Sequence, residues 1–254
     1  MAAFVSGPTC GREGDSTPPG LRLALRHLYD SGVTPMLGTG GDAPRVPAPQ
    51  HAPALAGQAR TMRRGEVLFD VGSPADVVYQ VESGLMALTL PLRSGRERIV
   101  TLAGPGEFVG ALAPGRREHE ERAEALSHTV SVIATLREDV GDDLERVLFT
   151  MLGRHASRLR RSIEDADRPV AVRLALSLLD LGERYGHVGE EGITRLTLPL
   201  THEHLAAMIG AARETTSGAL ALLRQSGLVD GTRGRYRFVD AKLRSALADF
   251  DGLA

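Results

Sequence analysis

The feature that most constrains this chain is a change of hydrophobic period at Asp142. Upstream, from about Thr61, short β-rich runs end on glycines. Val67-Leu68-Phe69 stops near Gly72, Val77 to Val81 at Gly84, Leu85 to Leu92 at Ser94-Gly95, and Arg98 to Leu102 at Gly104-Pro105-Gly106. Phe108-Val109 then precedes Gly110, and His128 to Leu136 reads as a last strand pair. Strands of about 5–6 residues with such spacing predict an antiparallel sandwich or barrel. Downstream of Asp142 the pattern is helical: Leu144, Leu148, Leu152, His155 and Leu159 recur every three or four residues. A lone helix cannot bury such a stripe, so it predicts packing on the barrel or on a second copy of itself.

Pro169 breaks that helix and suits the first turn of the next, Val170 to Tyr185, whose apolar residues include Val172, Leu176, Leu179 and Leu181. A glycine-rich loop runs from Gly186 to Gly192, and Leu196-Leu198-Leu200 alternates as a short strand. Residues 1 to 58 have a different character. Runs such as Thr17-Pro18-Pro19-Gly20 cannot hold regular structure, and the segment reads as a disordered or weakly helical tail.

Residues 200 to 239 carry the functional signal. Thr201 can cap a helix that offers Leu205, Met208 and Ile209 to a core. Gly210 sits where a tight turn between helices needs a permissive backbone. A second helix starts near Arg213 and presents Thr216, Ala219, Leu220 and Leu223 inward, with Gly227 as its stop. Leu228-Val229 begins a strand, Asp230 to Gly234 forms a turn-rich tip, and Arg235 to Val239 returns. Helix, turn, helix and hairpin in that order make a winged helix-turn-helix, whose second helix enters the DNA major groove by its N-terminal end. Arg213 and Glu214 occupy that end; Arg can bond guanine twice and Glu can accept from cytosine. Thr215 and Ser217 are short donors for phosphates or base edges, and Arg233 and Arg235 would reach the flanking backbone.

Composition narrows the alternatives. With 30 Lys+Arg against 32 Asp+Glu the net charge is only −2, so a DNA surface must be a local patch. Cys10 is the only cysteine, which excludes an intramolecular disulfide framework or a cysteine-built metal centre within one chain. No stretch has the apolar length of a membrane helix, and a cytoplasmic location is expected. Residues 60 to 110 hold no His, and no nucleophile–base pair or phosphate-cradling loop is present, so neither a metal site nor an enzyme is expected. No cofactor is expected either.

These residues together resemble the CRP/FNR family of bacterial transcription regulators. The resemblance covers about residues 60 to 240 and is carried by Arg64-Gly65-Glu66-Val67-Leu68-Phe69, the glycines at 72, 84 and 95, Gly104 through Gly110, and Leu200-Thr201 through Ala212-Arg213-Glu214-Thr215-Thr216-Ser217. It implies an α+β chain. An antiparallel β-roll of the double-stranded β-helix, jelly-roll type would occupy 59–140, a dimerisation helix and hinge 141–167, and a winged helix-turn-helix DNA-binding domain 168–254. It implies a homodimer seamed by Leu144, Leu148, Leu152, His155 and Leu159, a roughly palindromic operator in double-stranded DNA, and RNA polymerase as the protein partner. In ligand-gated relatives the DNA domains move about a hinge, near Glu164 to Arg168 here.

The departures from the family pattern bear on the effector. Cyclic-AMP binders carry a Gly-Glu-Leu motif whose Glu holds a ribose hydroxyl, then an Arg-Ser-Ala motif for the phosphate. Here the first reads Gly110-Ala111-Leu112, and the second, aligned as Arg122-Ala123-Glu124, keeps only its Arg. Gly110, Leu112 and Arg122 are what remains of an effector site, while Arg158 and Leu159 stand where hydroxyl side chains meet the base. Each lost buried partner costs about 1–3 kcal/mol, so cyclic-AMP dependence is not expected. His128 and His155 are available to the family's haem-sensing branch but read as structural. Gly218 stands where many relatives have a second Arg, so the operator should differ from the common one. The competing reading is a sensory module that acts through protein partners with an inert helix-turn-helix.

Overall fold

The computed structural model describes residues 57–251 apart from Ala111 and Pro114. The expected tail through residue 56, and Cys10 within it, lie outside the described residues. Eight strands build the roll: β1 (Gln58–Arg63), β2 (Val67–Phe69), β3 (Val77–Ser83), β4 (Met86–Pro91), β5 (Glu97–Ala103), β6 (Phe108–Gly110), β7 (Arg122–Ala125) and β8 (Thr129–Leu136). They form two antiparallel four-stranded sheets, in the orders β1-β8-β3-β6 and β2-β7-β4-β5. His128 to Leu136, read above as a strand pair, is mostly the single strand β8 and pairs with both β1 and β3. The sequence reading missed β7, because its buried residues are only Ala123 and Ala125 between the polar Arg122 and Glu124.

The weak alternation of the β4 segment has a physical cause. Met86 and Leu88 face the roll interior with Val81, Val109 and Val130. Leu85 and Ala87, on the opposite face, join Ile99 and Leu102 in a second core shared with the C-terminal helices. A strand buried on both faces has no polar side to alternate with.

Helix α1 (Asp142–Glu164) follows. Leu148 and Met151 pack with Ala75, Val78, Phe108 and Leu112 of the roll, and Leu144 and Val147 lie against that cluster. Helix α2 (Val170–Tyr185) is the spine of the C-terminal half: Leu174, Leu178 and Leu181 are fully enclosed. Helices α3 (His202–Ile209) and α4 (Arg213–Gln225) both pack against it. A sheet in the order β11-β12-β10-β9 completes the wing, from β9 (His187–Val188), β10 (Ile193–Thr197), β11 (Asp230–Thr232) and β12 (Arg235–Val239). The strand expected through Leu200 ends at Thr197, although Leu196 and Leu200 are both buried. A closing helix, α5 (Asp240–Asp251), was not foreseen. No helix among the described residues is long and apolar enough to cross a membrane.

Candidate nucleic-acid interface

The interface is built from the start of α3. The Thr201 hydroxyl accepts the His204 N–H at 3.2 Å, and His204 Nδ1 accepts the Thr201 N–H at 3.2 Å. This reciprocal box places a His where Glu or Gln is usual and commits the Thr201 side chain to the helix start. At the other end Gly210 has φ +65°, the left-handed conformation that turns the chain toward α4. The Arg98 guanidinium of the roll lies against that glycine, so a side chain there would have to displace it.

Helix α4 begins after Ala212 with no side-chain cap. Its first N–H groups have no intrahelical partner, so that end carries partial positive charge. Arg213, Glu214 and Thr215 are all exposed there, while Thr216 is fully buried. Ser217 is half-buried. Its hydroxyl bonds the Arg213 carbonyl at 2.9 Å and lies 2.8 Å from His202 Nδ1, so it ties the two helices together. Gly218 is exposed and faces open space.

The wing tip is shorter than the five residues predicted from sequence. Asp230 to Thr232 are already strand, and only Arg233 (φ +52°) and Gly234 (φ +78°) turn. Positive φ at both central residues suits a two-residue hairpin turn. Arg233, Arg235 and Arg237 are exposed, and Arg195 stands opposite Arg237 in the register. Four arginines therefore collect at the wing, of which Arg237 is paired with Asp230. This is the local basic patch that the near-neutral composition requires.

Behind this surface lies a polar junction that the sequence did not reveal. Glu107, in the turn between β5 and β6, receives Arg184 Nη2 of α2 at 3.0 and 3.1 Å and the Tyr185 hydroxyl at 2.7 Å. The Gly104 N–H donates to it at 2.9 Å, and Arg158 of α1 approaches at 3.7 Å. Burial raises the Glu107 carboxyl, but Arg184, the Gly104 N–H, Tyr185 and Arg158 outweigh it and hold it below the usual range. Burial opposes the Arg184 charge, and Tyr185, Glu107 and Asp180 more than restore it. Arg98 of β5 donates to Ser162 of α1, and Arg173 of α2 donates to the Ile209 carbonyl at 2.7 Å. Roll, α1 and DNA-binding helices thus meet in one network. The motif Gly104-Pro105-Gly106-Glu107 was visible in the sequence, but Arg158 lies about fifty residues away, and Arg184 and Tyr185 more than seventy.

The three residues that remained of an effector site lie on different elements. Gly110 (φ +98°) ends β6 in one sheet, and Arg122 lies on β7 in the other. Arg122 faces Asp70 at 3.9 Å and Glu124 at 3.7 Å. Leu112 is a core residue beside Phe108 and Leu148. Arg158 donates to Thr101 Oγ1 at 3.2 Å as well as approaching Glu107. Among the described residues no three His, Cys, Asp or Glu gather to hold a metal.

The α1 stripe is also redistributed. Leu148 is 1% exposed within the single chain, so its side chain serves the roll and leaves nothing for a partner subunit. Leu144, Leu152, His155 and Leu159 are half-buried. The exposed face carries Phe149, Gly153, Ala156, Arg160 and Ile163, spaced 4–3–4–3. Phe149 and Ile163 are 60% and 74% exposed.

The comparisons with known proteins agree with this architecture. Residues 59–144 match the cyclic nucleotide-binding domain, and residues 172–250 match the Crp-like helix-turn-helix domain. The chain is 32% identical over 173 residues to a CRP-like cAMP-activated global transcriptional regulator of Mycobacterium tuberculosis, covering 65% of this chain and 77% of that protein. It is 29% identical over 195 residues to the transcriptional regulator SdrP of Thermus thermophilus, covering 76% and 95%. Among solved structures, a CRP/FNR-family regulator from Thermus thermophilus superposes with a TM-score of 0.60 at 29% identity, over 75% of this chain and 98% of that one. FixK2 from Bradyrhizobium japonicum shares the fold, with a TM-score of 0.65 at 23% identity over 76% and 98%. The order of roll, long helix and winged helix-turn-helix, with this likeness along most of its relatives' length, makes the chain a member of the CRP/FNR family of transcription regulators.

Proposed function

We propose that this regulator binds a roughly palindromic operator as a homodimer, without cyclic AMP and without enzymatic activity. One observation carries the DNA reading: Arg213, Glu214 and Thr215 stand exposed on an uncapped helix start beside a wing of four arginines. Two copies related by a two-fold axis would place these ends in successive major grooves. Pairing through the face of Phe149, Gly153, Ala156, Arg160 and Ile163 suits the dimer, because the two consecutive small residues let the helices approach closely, with half-buried Leu152 and Leu159 at the edge. The nucleotide independence rests on Arg122 facing carboxylates, on Leu112 in the core, and on Arg158 engaged with Glu107 and Thr101.

The test is a genome-wide DNA-binding selection with the purified full chain and no nucleotide, with Arg213→Ala as control. A palindromic motif lost in the mutant is expected. Calorimetric titration with cyclic AMP should show no binding in the low micromolar range. Binding there, with a motif recovered only after its addition, would overturn the ligand-independent reading.

A further inference from the structure

Where α3 meets α4, a single hydroxyl fixes the tautomer of an imidazole. His202 opens α3, half-buried, and its Nδ1 lies 2.8 Å from the Ser217 hydroxyl of α4. The same hydroxyl lies 2.9 Å from the Arg213 carbonyl oxygen. A carbonyl can only accept, and a serine hydroxyl has one proton to give. With that proton on the Arg213 carbonyl, Ser217 Oγ accepts from His202, so Nδ1 carries the hydrogen. A neutral ring then presents a bare lone pair at Nε2. That atom becomes a donor only when the ring takes up a second proton.

The charges that bear on this ring have one sign. They are Arg224 and Arg213, both of α4. Arg224 Nε and Nη2 are buried and have no hydrogen-bond partner among the described residues. The exposed Glu203 and Glu214 are not among the charges that move the ring. Asp230 of the wing, which also feels Arg224, is paired with Arg237. Glu124 and Arg64 of the roll bear on His204 instead. Arg98 and Arg173 serve the other end of α3, at Gly210 and Ile209. Two guanidiniums and an imidazole with no carboxylate paired to them favour an anion, and Arg213 places them on the surface already assigned to DNA.

We propose that His202 is a DNA-phosphate contact that forms with the uptake of a proton: Nδ1–H stays on Ser217, and Nε2–H donates to a backbone phosphate. This rests on the DNA reading above and adds a contact residue to it. In the free protein burial, then Arg224 and Arg213, hold the imidazole below its usual range, so the ring is neutral on the alkaline side of neutrality. A phosphate brings opposite charge and a hydrogen-bond acceptor, and both favour the imidazolium. The complex therefore holds the proton more tightly than the free protein does, and operator affinity rises as pH falls through neutrality.

The experiment uses the full chain and the duplex recovered in the selection. From about pH 8 to about pH 6, wild-type affinity should rise by about fivefold or more. His202→Arg is cationic throughout and should bind at the acid-side level with a flat curve. His202→Gln never ionises and should also be flat, without the gain. Calorimetry at about pH 7 in Hepes and in Tris, whose ionisation enthalpies differ, should show proton uptake on binding by the wild type and none by His202→Arg. Ser217→Ala lets the neutral ring carry its hydrogen on Nε2, so its pH step should shrink. A step that persists in both His202 variants overturns the proposal, as does equal proton uptake by the wild type and His202→Arg, or an undiminished step in Ser217→Ala. Binding with a flat wild-type curve overturns this contact alone. If no duplex binds at any pH, the DNA reading fails and this contact fails with it.

Discussion

Glu107 and Arg184 meet at 3.0 Å across the junction between the roll and the DNA-binding helices, joined there by the Tyr185 hydroxyl. Arg184 is 12% exposed at its side chain and Glu107 22%, so neither charge is well hydrated. Removing one partner of a buried pair leaves the other uncompensated and costs about 3–5 kcal/mol. Glu107→Gln should lower the unfolding free energy by that order in chemical denaturation. Tyr185→Phe loses one hydrogen bond to a charged group and should cost about 1.5–3 kcal/mol. Equal, small effects from both would show that the junction does not hold the two halves together.

Two carboxyls of the roll, Glu107 and Glu121, set opposite pH dependences. The Glu107 carboxyl is held below its ordinary value in the fold, so its stabilisation is present above the unfolded value and is lost as pH falls through the folded one. The Glu121 carboxyl is raised to about 7. Its contribution is full below the ordinary carboxylate value of about 4.3 and declines as pH rises from there to neutrality. Glu121→Gln should therefore be more stable than the wild type at about pH 8, by about 2–3 kcal/mol at most, with the difference gone near pH 4. Thermal midpoints across that range provide the check.

Base and phosphate contacts should separate in binding assays. Arg213→Ala should cost about 1–3 kcal/mol and relax preference at one base position. Arg235→Ala should weaken all sequences alike and reduce the salt slope by about one. Affinity measured against salt concentration for wild type and both variants distinguishes the two roles.

The seam assignment is tested by a pair of variants on one helix. Phe149→Glu should yield a folded monomer in analytical ultracentrifugation. Leu148→Ala should leave the association unchanged but destabilise each subunit by about 2–5 kcal/mol, because its side chain fills the roll core. The reverse pattern would return the seam to the Leu148 face.

Gly210→Ala forces a Cβ onto a left-handed residue and against Arg98. The conformational part costs about 1–2 kcal/mol. Arg98 can swing aside, so the variant should fold with a lowered denaturation midpoint and weaker operator binding.

Much of the architecture was legible because it is written in local patterns. Thr201, Gly210, Arg213 and the inward set Thr216, Ala219, Leu220 and Leu223 lie where helical period and capping chemistry put them. Glycine-bounded runs located five strands of the roll and alternation located β8, while β1 was not picked out. Strand β7 escaped because alanines give little hydrophobic signal, and α5 was not foreseen. Ser217 was assigned to DNA, and no local pattern shows that its hydroxyl also meets His202, fifteen residues earlier.

The sequence by itself determined most of the helices, strands and turns, and which residues stand at the start of α4, because those depend on neighbours within a few positions. Only the tertiary structure decided what each face meets. The period of α1 is compatible with a seam on either side, and the roll takes Leu148 while Phe149 and Ile163 stay exposed. Glu107 and Arg184 are separated by 77 residues. Their charges interact only because the roll and α2 close around them, and burial, which sets the strength of such pairs, is a property of the assembled fold.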